Sequence, residues 1–204
     1  MKIKCSRTSL MKSLNIVSKA VSTKTTMPIL ECILIDVYAD CIKLVANDLE
    51  LGIETTLEGD VLEIGKIAVE AKLFNEYIRK LPEGSEILLE STPDTKLKIK
   101  CERSDLDFLA CKPGDEFTEL PQVEKSKSIT VSQFTLKQVI NQTIFSISDN
   151  ENNKLMTGEL FEVKDGKLTV VSLDGHRISM RNIDLSGNPD NVKVVVPGKT
   201  LNDI

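Results

Sequence analysis

The feature that most restricts the fold is that the chain repeats itself. The stretch "KIKCSRTSLMKSLNIVSKAVS" (2–22) lies over "SITVSQFTLKQVINQTIFSIS" (128–148) at an offset of 126 residues. That offset pairs Ile3 with Ile129, Ser6 with Ser132, Leu10 with Leu136, Leu14 with Ile140 and Asn15 with Asn141. It continues to Leu34 with Leu160, Val37 with Val163, Val45 with Val171 and Asp48 with Asp174. At an offset of 127, "IAVEAKLFNEY" (67–77) lies over "VVVPGKTLNDI" (194–204). Few residues are identical; what recurs is the apolar pattern over a long register. One supersecondary unit is therefore built twice, and a fold assigned to the first copy has to serve the second.

The pattern within a copy is α+β, an antiparallel sheet with two helices. Residues 10–21 put Leu10, Leu14, Val17 and Val21 on one stripe at helical spacing, with Lys12, Asn15 and Lys19 opposite. A second helix is expected over about 71–81, burying Leu73, Phe74, Tyr77 and Ile78 and exposing Lys72, Asn75, Arg79 and Lys80. Each copy opens with a short strand. Further runs of strand-forming residues cover 29–37, 41–46, 49–56, 62–69, 86–91, 96–101 and 106–111. Asp165-Gly166 is a hairpin signal between 158–164 and 167–173. The segment "CKPGDEFTELPQVEKSK" (111–127) is rich in Pro, Gly and charge, which suits a connection between domains. The expected division is a first domain over 1–118, a linker over 119–127 and a second domain over 128–204. Ile204 matches Tyr77, and the first copy runs about 40 residues further, so the second copy reads as incomplete.

Apolar residues make up 41% of the chain, enough for a packed core and too many for wholesale disorder. No apolar run approaches the ~18 residues of a membrane span, and "ILECILIDVY" is broken by Glu31 and Asp36. The opening "MKIKCSRTSL" lacks the apolar stretch of a secretion signal. A soluble, cytoplasmic chain with no membrane partner is expected. The five cysteines are odd in number, form no C-x-x-C and lie away from the only histidine, His176. They read as reduced residues filling strand cores, with no metal and no cofactor.

The net charge is −5, but its distribution is uneven. Residues 1–30 carry Lys2, Lys4, Arg7, Lys12, Lys19 and Lys24 without an acid, and residues 125–148 carry Lys125, Lys127 and Lys137 without one. An acidic chain with two such windows can present one positive face; chance clustering is the alternative. Helix stripes bearing Lys and Asn suit phosphate contacts, which carry no sequence information and make binding salt-dependent. An ordinary solvated helix face is the competing reading. The recurrence is imperfect, since Phe145 stands at the place of Lys19.

Residues 168–182, "LTVVSLDGHRISMRN", gather an Asp, a Gly, the lone His and an Arg. Their counterpart in the first copy is "IKLVANDLELGIETT" (42–56). Asp174 matches Asp48, so this Asp belongs to the shared architecture, bonding turn backbone. Gly175, His176 and Arg177 face Leu49, Glu50 and Leu51 and are particular to the second copy. An enzyme would need His176 paired with a nucleophile, metal ligands or a phosphate loop, and no such pattern is present in the sequence. A His and Arg that merely satisfy a turn remain an alternative.

The stretches "MPIL" (27–30), "NDLELGIETTL" (47–57), "LPEGSEI" (81–87), "GELFE" (158–162), "LDGHRIS" (173–179) and "VVVPGK" (194–199) follow one another through the whole chain. In that order they resemble the bacterial sliding clamps, the β subunit of DNA polymerase III. The resemblance implies the DNA clamp fold, repeated domains with antiparallel sheets outside and two helices each lining the inner face. It implies a three-domain protomer, here without its third domain, whose head-to-tail homodimer closes a ring around double-stranded DNA. Such a ring is a non-catalytic processivity factor, and what it supplies is effective concentration, because a tethered polymerase cannot diffuse away. The implied partners are the catalytic subunit of DNA polymerase III, the clamp loader, repair polymerases and mismatch-repair proteins.

By the same resemblance, Met156, Leu173, Gly175, His176, Arg177 and Ile178 would wall a groove for partner peptides. Gly175 would permit close backbone approach, and Arg177 would bond peptide carbonyls or carboxylates. Leu173 departs from the small polar residue common in the family, and the other wall would come from the third domain. Lys24, before "MPIL", and Asn152, Asn153 and Lys154, in the loop 149–154, would face DNA. Lys12, Lys19, Lys72, Arg79, Lys137 and Lys199 would lie on the helix-lined surface. Without a third domain the chain is expected to bind DNA poorly and not to form the native dimer. Two rival functions stand beside this one: a hydrolase centred on Asp174 and His176, and a protein-interaction module with no DNA role.

Overall fold

A computed structural model describes the chain except residues 23–24, 103, 110–111, 122–127, 151 and 188, and for 104–109 it describes the backbone alone. The chain divides into two compact units, Met1–Pro121 and Gln122–Ile204. The linker expected over 119–127 falls largely on 122–127, outside the described residues. The first unit runs past residue 118 because Leu120 packs on the cluster of Ile29, Leu30, Cys32, Leu34, Val45, Ala68 and Phe117.

The first unit contains the strands β1 (Lys2–Ser6), β2 (Cys32–Val37), β3 (Ile42–Asn47), β4 (Gly52–Leu57), β5 (Gly59–Glu63), β6 (Gly65–Glu70), β7 (Glu86–Ser91), β8 (Lys96–Cys101), β9 (Ser104–Leu109) and β10 (Lys112–Pro113). They form two antiparallel sheets, β5-β1-β7-β8-β9 and β10-β6-β2-β3-β4. The helices α1 (Arg7–Val17) and α2 (Ala71–Lys80) send their apolar sides into the core that both sheets share. α1 starts three residues earlier than its apolar periodicity shows. The reason is Ser6, whose backbone is extended and whose Oγ accepts the Ser9 N–H at 3.0 Å. That cap satisfies a backbone donor the helix leaves unpaired. The stripe Leu10, Leu14 and Val17 is buried as expected, and Lys12 and Asn15 are exposed.

α2 corrects the expected burial. Its inward stripe is Ala71, Phe74 and Ile78, while Leu73 is 48% exposed. At ~100° per residue Leu73 lies far round the helix from that stripe. Asn75, expected outside, is drawn in: its Nδ2 donates to Ser18 Oγ at 2.9 Å and to Ala71 O at 2.8 Å. The expected strand over 62–69 is two strands in different sheets, β5 pairing with β1 and β6 with β2. The chain changes sheets at Ile64-Gly65, where Gly65 has φ +141. The run 29–37 begins its strand only at Cys32, because Pro28–Glu31 is a 3-10 turn with Pro at its start.

The second unit contains α3 (Gln133–Thr143), β11 (Gly158–Lys164), β12 (Lys167–Leu173), β13 (Ile178–Asp184), β14 (Val192–Pro197) and α4 (Gly198–Asp203). α1 followed by the 3-10 turn Ser18–Ala20 recurs as α3 followed by Ile144–Ser146. Ser132 repeats the cap, accepting the Thr135 N–H at 3.1 Å. The sheet order β13-β12-β11-β14 repeats β4-β3-β2-β6. The ladders repeat too: Leu34 opposite Val45 recurs as Leu160 opposite Val171, Ile42 opposite Leu57 as Leu168 opposite Ile183, and Cys32 opposite Glu70 as Gly158 opposite Pro197. The hairpin at Asp165-Gly166 joins β11 and β12 as its sequence predicts, with φ +51 and +74.

The expectation that each copy opens with a strand fails for the second, since residues 128–132 form none. β1 is held by ladders to β5 and β7, and residues 128–132 make no such ladder. Cys5, Cys32 and Cys101 are buried thiols, Cys32 donating to Pro28 O at 3.4 Å, and Cys41 is half-buried; Cys111 lies outside the described residues. Among the described residues no helix is long and apolar enough to cross a membrane.

The paired caps make a direct prediction. Ser6→Ala and Ser132→Ala are each expected to lower stability by about 1 kcal/mol, measured by denaturant unfolding. Equal losses at the two sites would show that the repeat is energetic as well as geometric.

Candidate nucleic-acid interface and partner groove

The first acid-free window does not remain uncompensated once folded. Lys2 Nζ stands 3.3 Å from Glu90 and Lys4 Nζ 2.7 Å from Glu86, both across the β1–β7 ladder. Arg7 donates from Nε to Ile78 O at 3.1 Å and from Nη2 to Arg79 O at 2.8 Å. It thus closes the C-terminal carbonyls of α2, where a cation also meets the negative end of the helix dipole. Half of the basic residues in 1–30 are therefore structural. A window without acids in sequence acquires them from β7, which only the tertiary fold reveals.

What remains on the helices is sparser. Lys12 on α1, Lys72 and Arg79 on α2, Lys137 on α3 and Lys199 on α4 are exposed, as is Lys19 in the 3-10 turn after α1. α1 and α2 are bound together through the Asn75–Ser18 bond, so Lys12 and Lys72 belong to one helix pair within the first unit. Lys24 lies outside the described residues. Asn152, Asn153 and Lys154 are exposed on a chain of turns: Asn150 Oδ1 accepts the Asn152 N–H, and Asn153 O accepts the Met156 N–H.

The turn after β12 is built by Asp174. Its Oδ1 accepts the His176 N–H at 2.9 Å and the Arg177 N–H at 3.0 Å. Asp48 does the same after β3, with the Glu50 N–H at 3.0 Å and the Leu51 N–H at 2.7 Å. The shared Asp is thus a turn former in both copies, a reading the sequence comparison supports. At the next position Gly175 has φ +90 and Leu49 φ +72. This left-handed backbone costs glycine nothing and a leucine about 1–2 kcal/mol, yet Leu49 adopts it with 60% of its surface exposed. An added Cβ at Gly175 would meet nothing within 4 Å. Within this chain no neighbour requires the missing Cβ, and the glycine serves the left-handed backbone of the turn.

Arg177 is not a free arm either. Its Nε donates to Asp174 Oδ2 at 2.9 Å, and its guanidinium stands 6.0 Å from the centre of the Phe145 ring. The Asp174 carboxyl is held below the usual carboxylate range, chiefly by the His176 N–H, with Arg177 adding to it and partial burial opposing. Leu173 and Ile178 face each other across the β12–β13 ladder at the mouth of this turn, Leu173 half-buried and Ile178 71% exposed. Met156, half-buried, precedes β11 at the same end of the sheet; its carbonyl accepts the Ser148 N–H at 2.8 Å. Sequence reasoning missed Phe145, 58% exposed beneath Arg177, and Leu155, exposed beside Met156. The signal was available for Phe145, which is the aromatic that breaks the repeated basic stripe. Among the described residues no cluster of His, Cys, Asp and Glu could hold a metal.

These features define a class: a tandem of like-ordered α+β units, each with two helices and the same four-stranded antiparallel ladder. The family description "DNA polymerase III beta subunit, N-terminal domain" matches residues 1–121, and "DNA polymerase III beta subunit, central domain" matches residues 130–204. The chain belongs to the DNA polymerase III beta subunit family. The beta sliding clamp of Halalkalibacterium halodurans is 36% identical over 204 residues, covering 95% of this chain and 53% of that protein. A solved structure from Eubacterium rectale is 57% identical with a TM-score of 0.94, covering all of this chain and 55% of that one. The DNA polymerase sliding clamp from Bacillus subtilis is 30% identical with a TM-score of 0.92, again over all of this chain and 55% of that one. The chain spans about half the length of the curated relatives it matches.

Two outcomes follow from the turn. Gly175→Ala should destabilise the second unit by about 1 kcal/mol, whereas Leu49→Gly should leave the first unit unchanged or more stable by up to about 1 kcal/mol, both read by thermal unfolding. Because folding lowers the proton affinity of Asp174, its bonds strengthen the turn above the ordinary carboxylate range and are lost as pH falls through the lowered value. Acid titration by NMR should therefore move the His176 and Arg177 amide signals together, at a pH below that of unperturbed Asp residues.

Proposed function

We propose that this chain acts within a sliding clamp, a non-catalytic ring that encircles double-stranded DNA and tethers the replicative polymerase. The observation that carries the reading is that one helix-on-sheet unit recurs, ladder for ladder, across two domains that match the beta subunit. In this reading the domains are 1–118 and 128–204, joined through 119–127, and a further domain completes the protomer and the homodimer ring. Lys12, Lys19, Lys24, Lys72, Arg79, Lys137 and Lys199, with Asn152, Asn153 and Lys154, face the DNA. They contact phosphates without reading sequence, so the ring can slide. Met156, Leu173, Gly175, His176, Arg177 and Ile178 form one wall of a groove for peptides of the polymerase, the clamp loader and repair proteins, acting in the cytoplasm. Exposed Ile178 supplies apolar area, and Arg177, already oriented by Asp174, presents its remaining N–H groups to peptide carbonyls.

The hydrolase reading has little support in this geometry. Asp174 spends its carboxylate on two backbone N–H groups and Arg177, and His176 is exposed.

The test uses the protein at the full length of its relatives, loaded on nicked circular duplex DNA. It should stay with the circle through gel filtration and leave after the circle is cut. Equal loss from circular and linear DNA would defeat the reading. In the same assay, Lys12→Ala or Lys72→Ala should lower the slope of log affinity against log salt by about one or less.

A further inference from the structure

Five inward positions of the second unit are polar where the first unit is apolar. Thr143, Ser146, Glu159, Ser172 and Ser179 stand at the places of Val17, Ala20, Ile33, Ala46 and Ile53. Val17, Ala20, Ile33 and Ala46 are fully buried, and Ile53 packs against that core. Glu159 is equally sealed, at 0% exposed. The hydroxyls around it are bonded: Thr143 Oγ1 donates to Val139 O at 2.9 Å, Ser172 Oγ donates to Thr143 O at 2.5 Å, and Ser146 Oγ and Ser179 Oγ share a bond of 2.6 Å. Among the described residues, none donates a hydrogen bond to either carboxyl oxygen of Glu159.

Counting protons disfavours the ionised form. A hydroxyl has one to give. Those of Thr143 and Ser172 go to carbonyls, and the Ser146–Ser179 pair uses one internally, its remaining proton out of reach of Glu159. An ionised carboxylate, which can only accept, would be buried among groups that have nothing to donate to it. A protonated one has a hydrogen of its own to give, and Thr143 Oγ1 keeps lone pairs to accept it. Burial pushes the Glu159 carboxyl above its usual range, with the Thr143 contact opposing. Among the described residues no charged partner favours ionisation. The inward-facing residues are Phe161 and Val163 on β11, Leu168 and Val170 on β12, and Val192, Val194 and Val196 on β14. α3 contributes Val139 and Ile140 and α4 Leu201, with Asp203 half-buried and Lys199 exposed at its outer side. On β13 the same face carries Ile183 and the exposed Arg181.

The polar set adjoins the candidate groove at three points. Ser146 follows Phe145, Ser172 precedes Leu173, and Ser179 follows Ile178. We propose that Glu159 is a positioning residue for this groove, a carboxylic acid that keeps its proton at neutral pH, donates it to Thr143, and through the hydroxyl brace holds Phe145 and the Gly175–Arg177 turn on one frame. The first unit, with an apolar layer at these positions, has no such brace. The proposal rests on the groove reading, but its test uses no partner, so the two can fail separately.

Infrared difference spectra between the unsubstituted chain and Glu159→Gln should show a protonated-carboxyl carbonyl band at neutral pH. Raising the pH through the elevated value of Glu159 should remove the brace. Amides 174–179 should then exchange about tenfold faster than the intrinsic rise with pH accounts for, as loss of one buried hydrogen bond implies. Glu159→Gln, which keeps a donor, should show no such excess. Glu159→Ile, the first-unit residue, should unfold cooperatively yet exchange these amides about tenfold faster at neutral pH. A carboxylate band at neutral pH would overturn the proposal, as would turn protection in Glu159→Ile equal to that of the unsubstituted chain. If Glu159→Ile does not fold, the pH comparison with Glu159→Gln decides alone.

Discussion

The arrangement depends on one constraint, that a short helix has a single apolar stripe and must bury it against a sheet. Leu10, Leu14 and Val17 enter the first core, and Val139, Ile140 and Thr143 enter the second. Once those stripes are fixed, 3.6-residue geometry decides where everything else on the helix points. Lys12 and Asn15 are turned outward in the first unit and Lys137 and Asn141 in the second. The serine caps set where each helix starts, and therefore which residues fall on which side. An exposed Lys- and Asn-bearing helix face of this kind needs no dedicated motif. It is the residue of burial elsewhere, with lysines placed where the stripe leaves room.

The same frame carries different chemistry at its loop end. Asp48 and Asp174 make the same turn with nearly the same bonds, but one holds an exposed leucine in a costly conformation and the other a glycine followed by His and Arg. Beneath the second turn, an apolar layer has become a polar one. Function in a duplicated fold is found where the copies diverge, because agreement between them reports only what the frame requires.

Much of the frame was legible in the sequence. The 126-residue offset located helices, ladders and turn alike, and the Asp165-Gly166 hairpin was placed correctly. What escaped were consequences of long-range pairing. The division of 62–69 between two sheets depends on which strands β1 and β2 accept. Leu73 was misassigned because apolarity was counted without its angle round the helix. In the candidate site, Asp174, Gly175 and Arg177 could be singled out from spacing, but the bonding of Arg177 to Asp174 and Phe145 could not. Lys2, Lys4 and Arg7 looked like part of a basic face because their partners lie more than 70 residues away in sequence.

The central claim is that helix faces, and not sheet faces, meet the duplex. A photo-crosslinking residue placed in turn at Lys12, Lys72 and Lys137 of the full-length protein, loaded on circular duplex DNA, tests it most directly. The same residue at Lys100, exposed on the outer face of β8, is the control, because it too replaces a lysine. Adducts with DNA from the three helix positions and none from position 100 are the predicted result. Adducts from position 100 with none from the helices would contradict the account.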